Sequence, residues 1–514
     1  MYDFLIMNTL GYPILSLLVF LPLAGVIPLL ILKNDEAAKY WTLLITLVIA
    51  AISLPLYFKF DKTTALYQFG EHHPWIPMWD INYTLGIDGI SLLLILLTTL
   101  LMPLCVLCSW RYITTRVRPF LACLLIMETS MLGVFMSLDF VLFYILWEAM
   151  LIPMYLLIAV WGGPRKIYAS IKFFLYTLAG SVMLLVAIIA LYLHNDPHTF
   201  SIPQMMGQGY SSTFQIWVFL AFFLAFAIKV PMFPFHTWLP AAHVEAPTAG
   251  SVVLASVLLK MGTYGFLRFC LPITPEASLT MMPYVLWLSI AGIIYGGFTA
   301  LAQQDMKKLI AYSSVGHMGF VTLGIFVFNT NGIEGALLQM INHGVTTGAL
   351  FIMVGMIYER THSRELALAA GVGKFMPVYV TFLGFFSLSS LAFPGTNSFI
   401  GEFLVLAGAF SKTKIIAACA IPGAVLAAAY MLRMLQKVVW GGTRNPDQSY
   451  LTDLNLREII TLAPLLLFVL WIGLNPAPFM DVMHTSVHHL IQQVGIAGAD
   501  QQSFLEVAKF VLPQ

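Results

Sequence analysis

Eight ionisable side chains stand inside long apolar stretches of this 514-residue chain: Glu128, Glu148, Lys229, Lys260 and Glu402, with His236, His317 and His343. A lone charge in hydrocarbon costs several kcal/mol, and groups that persist there commonly mark ion or proton pathways. An acid and two lysines, each one or two apolar runs from the next, suit a proton relay better than a binding pocket. Whether a buried lysine keeps its proton depends on how near a carboxylate sits, so Glu148 and Lys229 can form a switch. His317 and His343 can carry protons between fixed stations, because free imidazole titrates near neutrality. The hydroxyls of Tyr312, Ser313, Ser314, Thr346 and Thr347 lie close to them in sequence and can hold water. Glu128 and His236 are secondary candidates. Nothing around Glu128 breaks its helix and His236 stands beside a prolyl turn, so a structural role competes with a functional one at both.

These residues need elements that hold them at membrane depth. A span needs about 20 apolar residues to cross roughly 30 Å of hydrocarbon. Fourteen such runs occur, centred near residues 22, 50, 97, 128, 150, 182, 230, 260, 292, 318, 345, 392, 425 and 466. They are continuous rather than alternating, which predicts helices and an all-α polytopic fold. Two runs are broken. Pro231, Pro234 and Pro240 interrupt the seventh beside Lys229, and Pro394 with Gly395 interrupts the twelfth just before Glu402. A proline inside a helix removes a donor and clashes with the carbonyl four residues back, here that of Ala227. Irregular backbone at membrane depth survives only where protein or a wet cavity satisfies it. The two breaks lie five spans apart, an odd number. If spans four to eight and nine to thirteen are repeats, they therefore run in opposite directions, as in secondary transporters. The expected divisions are 1–117 for three N-terminal helices, 118–272 and 273–440 for two half-channels, and 441–514 for the last span and a tail. The tail, with His484, His488 and His489 at helical spacing, reads as an amphipathic interfacial segment.

Composition agrees. The chain is 60% hydrophobic and 10% charged, whereas a soluble chain carries about a quarter charged residues. Soluble enzymes, secreted domains and disordered scaffolds are excluded together. A net charge of +1 argues against a nucleic-acid partner; lipid is the expected surrounding. Cys105 and Cys108 form a CxxC inside an apolar run, and no second Cys or His pair completes a metal site. There is no glycine-rich nucleotide loop, no nucleophilic triad, and no basic residue before Lys33 to start a cleavable leader. With the spans numbered alternately, seventeen Lys and Arg fall on one side and six on the other. The positive-inside rule then predicts both termini outside.

Four stretches resemble a known family: LFYILWEAMLIPMYLLIAVWGG (142–163), AIKVPMFPFHTWLPAAHVEAPTAGSVVLASVLLKMGTYG (227–265), QDMKKLIAYSSVGHMGF (304–320) and INHGVTTGALFIMVGMIYER (341–360). They are similar to the antiporter-like proton-channel subunits of respiratory complex I, most of all the branch called chain M in bacteria and subunit 4 in mitochondria. The resemblance covers nearly the whole chain, and HVEAPTAGS is particularly like the mitochondrial version. It implies that Glu148 is the fifth-helix acid, Lys229 the lysine of the broken seventh helix and Lys260 the connecting lysine of the eighth. His317 and His343 become intermediates of a central hydrophilic axis, and Glu402 the station on the broken twelfth helix. Chains L and N are similar but usually carry lysine at that station, and chain L adds a long lateral helix for which the residues after 478 leave too little room. A carboxylate often follows the proline where Ala241 stands here, which removes any role for that acid.

The resemblance further implies a subunit of an enzyme rather than a catalyst alone. The chain would hold no cofactor and would translocate protons while NADH, FMN, iron–sulfur clusters and quinone react in partner subunits. Chains L and N would be its neighbours, and a bacterial inner membrane its location. Three other readings remain open on the residues. One is an Mrp-type cation/proton antiporter subunit, which sodium-dependent exchange would reveal. Another is the membrane arm of a hydrogenase or of a ferredoxin–plastoquinone complex, which co-purifying subunits would separate. The last is a scaffold whose buried charges only fix helix packing.

Overall fold

The computed structural model describes residues 4–366, 371–441 and 451–497. Its helices run in order α1 Ile14–Ile31, α2 Asp35–Lys59, α3 Gly89–Ser109, α4 Val117–Met136, α5 Phe140–Trp161, α6 Lys166–His194, α7 Ser212–Lys229 and α8 Trp238–Glu245. Then follow α9 Thr248–Ile273, α10 Pro275–Ala302, α11 Met306–Phe326, α12 Thr330–Thr361, α13 Pro377–Ser390, α14 Asn397–Lys412, α15 Lys414–Trp440, α16 Leu456–Leu474 and α17 Ala477–Ala497. Among the described residues, thirteen helices are long and apolar enough to cross a membrane. The twelfth expected run is instead the pair α13 and α14, on either side of the Pro394–Gly395 break.

Among the described residues, one sheet interrupts the helices. Strands β1 Leu5–Met7, β2 Tyr67–Ile76 and β3 Ile81–Ile87 form a small sheet in the order β1-β2-β3, β1 parallel and β3 antiparallel to β2. Its signal in the sequence is weak, because β2 carries Pro74 and adjacent histidines rather than an apolar alternation.

Caps fix where the helices start. Asp88 and Ser91 make a reciprocal capping box for α3, Asn455 and Glu458 another for α16, and Asp305 accepts from Lys307 N and Lys308 N to begin α11. The breaks are equally explicit. After α7 ends at Lys229, Met232 N reaches back five residues to Ala227 O (2.8 Å). That is the carbonyl Pro231 cannot serve. Trp238 Nε1 donates to Ile228 O (2.8 Å), so the next exposed carbonyl is also satisfied. Between α13 and α14, Phe393 N bonds Leu388 O (3.0 Å), while Ala392 and Gly395 take positive φ of 58° and 90°.

A further irregularity was not expected. Leu254–Leu258 and Phe266–Cys270 within α9 are π-helical, and Lys260 lies between them. Such bulges often occur at functional sites. Helices α9 and α12, which carry Lys260 and His343, are enclosed by protein along their whole spans, whereas α1, α2, α6 and α16 leave most of theirs facing outward. The charged residues are therefore central and the apolar surface is peripheral. The tail forms α17, which turns Val482, Met483, Val487 and Leu490 inward and leaves the His484 side chain 60% exposed. Its remaining residues, including 503–512, and the loop charge Arg444 lie outside the described residues.

Candidate functional site

The central line begins at Lys260. Its Nζ donates to Ala255 O (2.5 Å), a carbonyl within the first π segment, and meets His343 Nδ1 at 2.6 Å. The His343 ring stands edge-on to His317 with centroids 5.8 Å apart. His317 Nδ1 in turn meets Glu402 Oε1 at 2.8 Å, and Gln339 Nε2 donates to the same oxygen at 3.0 Å. Four of the sequence-expected residues are thus brought into one buried row by α9, α12, α11 and α14. Close helix approach makes this possible. A Cβ at Gly344 would stand 3.0 Å from Ser256 O, and one at Gly401 would stand 2.6 Å from Gln339 Oε1.

Each contact in the row can carry a proton on either side. An ammonium donates to a neutral imidazole nitrogen, and a protonated imidazole nitrogen donates to a neutral amine. The same holds between His317 and Glu402. No hydrogen bond joins the two imidazoles: His343 Nε2 has no protein partner, and His317 Nε2 faces Ser390 Oγ (3.5 Å) and Tyr430 Oη (3.4 Å).

The other pair is placed differently from a simple salt bridge. Among the described residues no ion pair within 4.0 Å joins Glu148 to Lys229. Lys229 Nζ sits 3.6 Å from Met150 Sδ and 4.9 Å from the Trp147 ring centroid, at the C-terminus of α7, where a helix dipole favours a cation. Glu148 is in electrostatic reach of it, and its Oε1 is buried without a partner. Separated charges of this kind can approach or part, which a clamped pair cannot.

Two family models match the chain. One, described as NADH:quinone oxidoreductase/Mrp antiporter, TM, covers residues 137–427; the other, NADH-ubiquinone oxidoreductase chain 4, amino terminus, covers 16–134. NADH-quinone oxidoreductase subunit M of Rhodobacter capsulatus is 45% identical over 497 residues, spanning 93% of this chain and 96% of that one. NADH-ubiquinone oxidoreductase chain 4 of Arabidopsis thaliana is also 45% identical, over 93% and 97%. The chain belongs to the subunit M/chain 4 family of NADH–quinone oxidoreductases. A chain of the respiratory complex I from Thermus thermophilus with bound NADH superposes with a TM-score of 0.87 at 31% identity, over 94% of this chain and 100% of that one. A chain of the Mrp complex from Dietzia superposes with a TM-score of 0.78 at 19% identity, a likeness of fold alone, over 98% of this chain and 56% of that one.

Within this subunit M/chain 4 fold, the two secondary candidates stand apart from the row. His236 stacks on Phe233 and meets Tyr295 edge-on at 4.9 Å. Glu128 is fully buried in α4 with neither carboxylate oxygen bonded to protein. Of the hydroxyls near the histidines, Thr346 meets Ser389 at 2.6 Å, whereas Ser313 and Ser314 donate to Ile310 O one turn back.

Sequence reasoning missed His243 and Lys307. His243 is fully buried, stacked on Phe351 at 4.5 Å, with both ring nitrogens unpartnered. Lys307, expected as a loop charge, is buried with Nζ on Ala246 O at 2.5 Å. The signal for His243 was present in the prolyl stretch that also holds Lys229 and His236. Lys307 had none, since a KK pair at a helix start reads as solvated. Among the described residues no three His, Cys, Asp or Glu side chains converge as metal ligands.

Proposed function

We propose that this chain is a proton-translocating subunit in the membrane arm of a respiratory NADH–quinone oxidoreductase. The observation that carries this reading is the buried row Lys260–His343–His317–Glu402, with contacts of 2.6 and 2.8 Å at its two ends and the imidazoles edge-on between them, in a chain of that family. Glu148 and Lys229 load one end of the row, and Glu402 holds the proton at the other. NADH oxidation by FMN and iron–sulfur clusters, and quinone reduction, take place in partner subunits; the neighbouring antiporter-like chains are L and N. The two half-channels are residues 118–272 and 273–440, arranged as inverted repeats, preceded by the N-terminal helices of 1–117 and followed by the last span and tail of 441–514. The membrane is a bacterial inner membrane, with both termini on the periplasmic side.

The charge on Lys229 is fixed by the distance to Glu148 rather than by a standing bond. Bringing the carboxylate close favours a proton on the lysine, and withdrawing it favours passage of that proton toward Lys260. Glu148→Gln and Lys229→Ala, each in assembled complex, should strongly lower the number of protons pumped per electron. A wild-type ratio in either variant removes the pair from the pathway. Proton pumping that requires sodium would instead support an Mrp-type exchange.

A further inference from the structure

One face of α9 leads away from Lys260 toward the end of the bundle where α3 begins. Lys260, Tyr264 and Arg268 are four residues apart and so share that face. Beyond Arg268 lies a cavity of about 130 Å³ whose lining is mixed: Tyr67, Asp88, Arg268 and, from α17, Ser486, His489 and Gln493 give it polar groups, and apolar side chains such as Leu66, Ile90 and Met206 make up the rest. A cavity of this size has room for several waters near its polar groups. Along this helix face, Tyr264 and Arg268 stand between the central lysine and the cavity.

The bonding of those two residues is of an unusual kind. Arg268 uses all three nitrogens: Nε donates to Tyr264 Oη (3.2 Å), Nη1 to Tyr67 Oη (2.8 Å) and Nη2 to Asp88 Oδ1 (2.6 Å). Its guanidinium lies 5.0 Å and 5.2 Å from the ring centroids of Tyr67 and Tyr264. Asp88 Oδ1 is held by Ile90 N, Ser91 N and Ser91 Oγ as well. Tyr264 Oη donates its own proton to Phe135 O (3.3 Å), a backbone carbonyl that passes nothing on. A relay needs members that both accept and release a proton. Arginine only donates and does not deprotonate in proteins, and the Tyr264 hydroxyl is committed in both directions.

We propose that the Arg268–Asp88 pair, clamped between Tyr67 and Tyr264, is a fixed-charge seal that bars protons from passing between Lys260 and this cavity. The proposal rests on the proton-carrying role assigned above to Lys260. A permanent cation on the line between two proton-holding places repels an approaching proton, as arginine does in water-selective pores. Asp88 keeps the guanidinium in place without lending it a route for deprotonation. Protons loaded at Lys229 are thereby confined to the row that ends at Glu402.

The test is passive proton leak into liposomes holding the intact complex, with the redox reaction inhibited and a pH gradient imposed. Arg268→Gln should raise the leak several-fold at unchanged rates of NADH–quinone electron transfer. Arg268→Lys, which keeps a cation but one able to release its proton, should leak less than Arg268→Gln. Tyr264→Phe should remain tight and pump at the normal ratio, because the hydroxyl relays nothing. A tight Arg268→Gln complex overturns the seal, as does an equal leak in Arg268→Lys and Arg268→Gln, since the retained charge then hinders nothing. Loss of pumping in Tyr264→Phe also overturns it, by making the stripe a relay. If Arg268→Gln does not assemble, Tyr264→Phe decides alone. The leak is measured without turnover, so it stands apart from the pumping ratios of Glu148→Gln and Lys229→Ala, on which the proposed function itself depends.

Discussion

Glu402 shows what a single side chain contributes at the end of the row. It lies seven residues past Gly395, about two helical turns beyond the break at 3.6 residues per turn, on the re-formed helix α14. There one carboxylate oxygen accepts from both Gln339 and His317. Gln339 only donates, so it orients the carboxylate, and His317 is the exchange partner. Glu402→Gln keeps the shape and the acceptor but cannot titrate, and should abolish most pumping in assembled complex. Glu402→Asp should retain part of it, because the acid remains but its reach to His317 shortens by one methylene. Glu402→Lys should retain some, since an amine can also exchange with an imidazole. The proton-to-electron ratio of the three variants reads this directly, and wild-type pumping by Glu402→Gln ends the station role. The residue types were legible in the sequence, as charges in apolar runs. Their pairing was not: Lys260 and His343 are 83 residues apart, and His317 and Glu402 are 85 apart. Only helix packing brings them together.

At the scale of elements, proline and glycine made two breaks visible, because each removes a donor or permits a backbone that other residues avoid. The π segments left no such mark. Leu254–Leu258 reads LASVL, an ordinary apolar helix with no residue that announces the wider turn. The sheet was equally silent. Packing also explains why glycine matters at 344. A Cβ there would meet Leu97 Cδ2 at 2.6 Å and Ser256 O at 3.0 Å, so a larger residue pushes α12 away from α3 and α9. That movement would stretch the 2.6 Å contact between Lys260 and His343. Gly344→Val should cost about 1–3 kcal/mol in overpacking and lower pumping more than electron transfer. Thermal inactivation and the pumping ratio measure the two effects. Unchanged stability with full pumping would mean that helix spacing does not govern this contact.

At the scale of the whole molecule, if the thirteen long helices of the described residues and the broken pair α13–α14 each cross once, fourteen crossings return the chain to the face on which it started. The termini then share a side, and every connection is assigned by alternation. With the charges that flank each connection counted along with those inside it, seventeen of the 25 Lys and Arg fall on one face. Taking the buried Lys307 and Arg268 out of the tally removes one from each side and leaves the bias as it was. Charge of this kind is retained on the cytoplasmic side during insertion, so the opposite face, with the sheet and α17, is expected outside. The positions to label follow from exposure. Met7 is 54% exposed beside β2, and the Arg165 side chain is 69% exposed in the connection between α5 and α6. With an impermeant thiol reagent on intact cells, Met7→Cys should react, and Arg165→Cys should react only after the membrane is opened. The reverse pattern would invert the chain in the membrane. It would also invert the row, placing the Lys307 and His243 end outside and the Arg268 cavity within, so the direction of proton movement would have to be reassigned along with it.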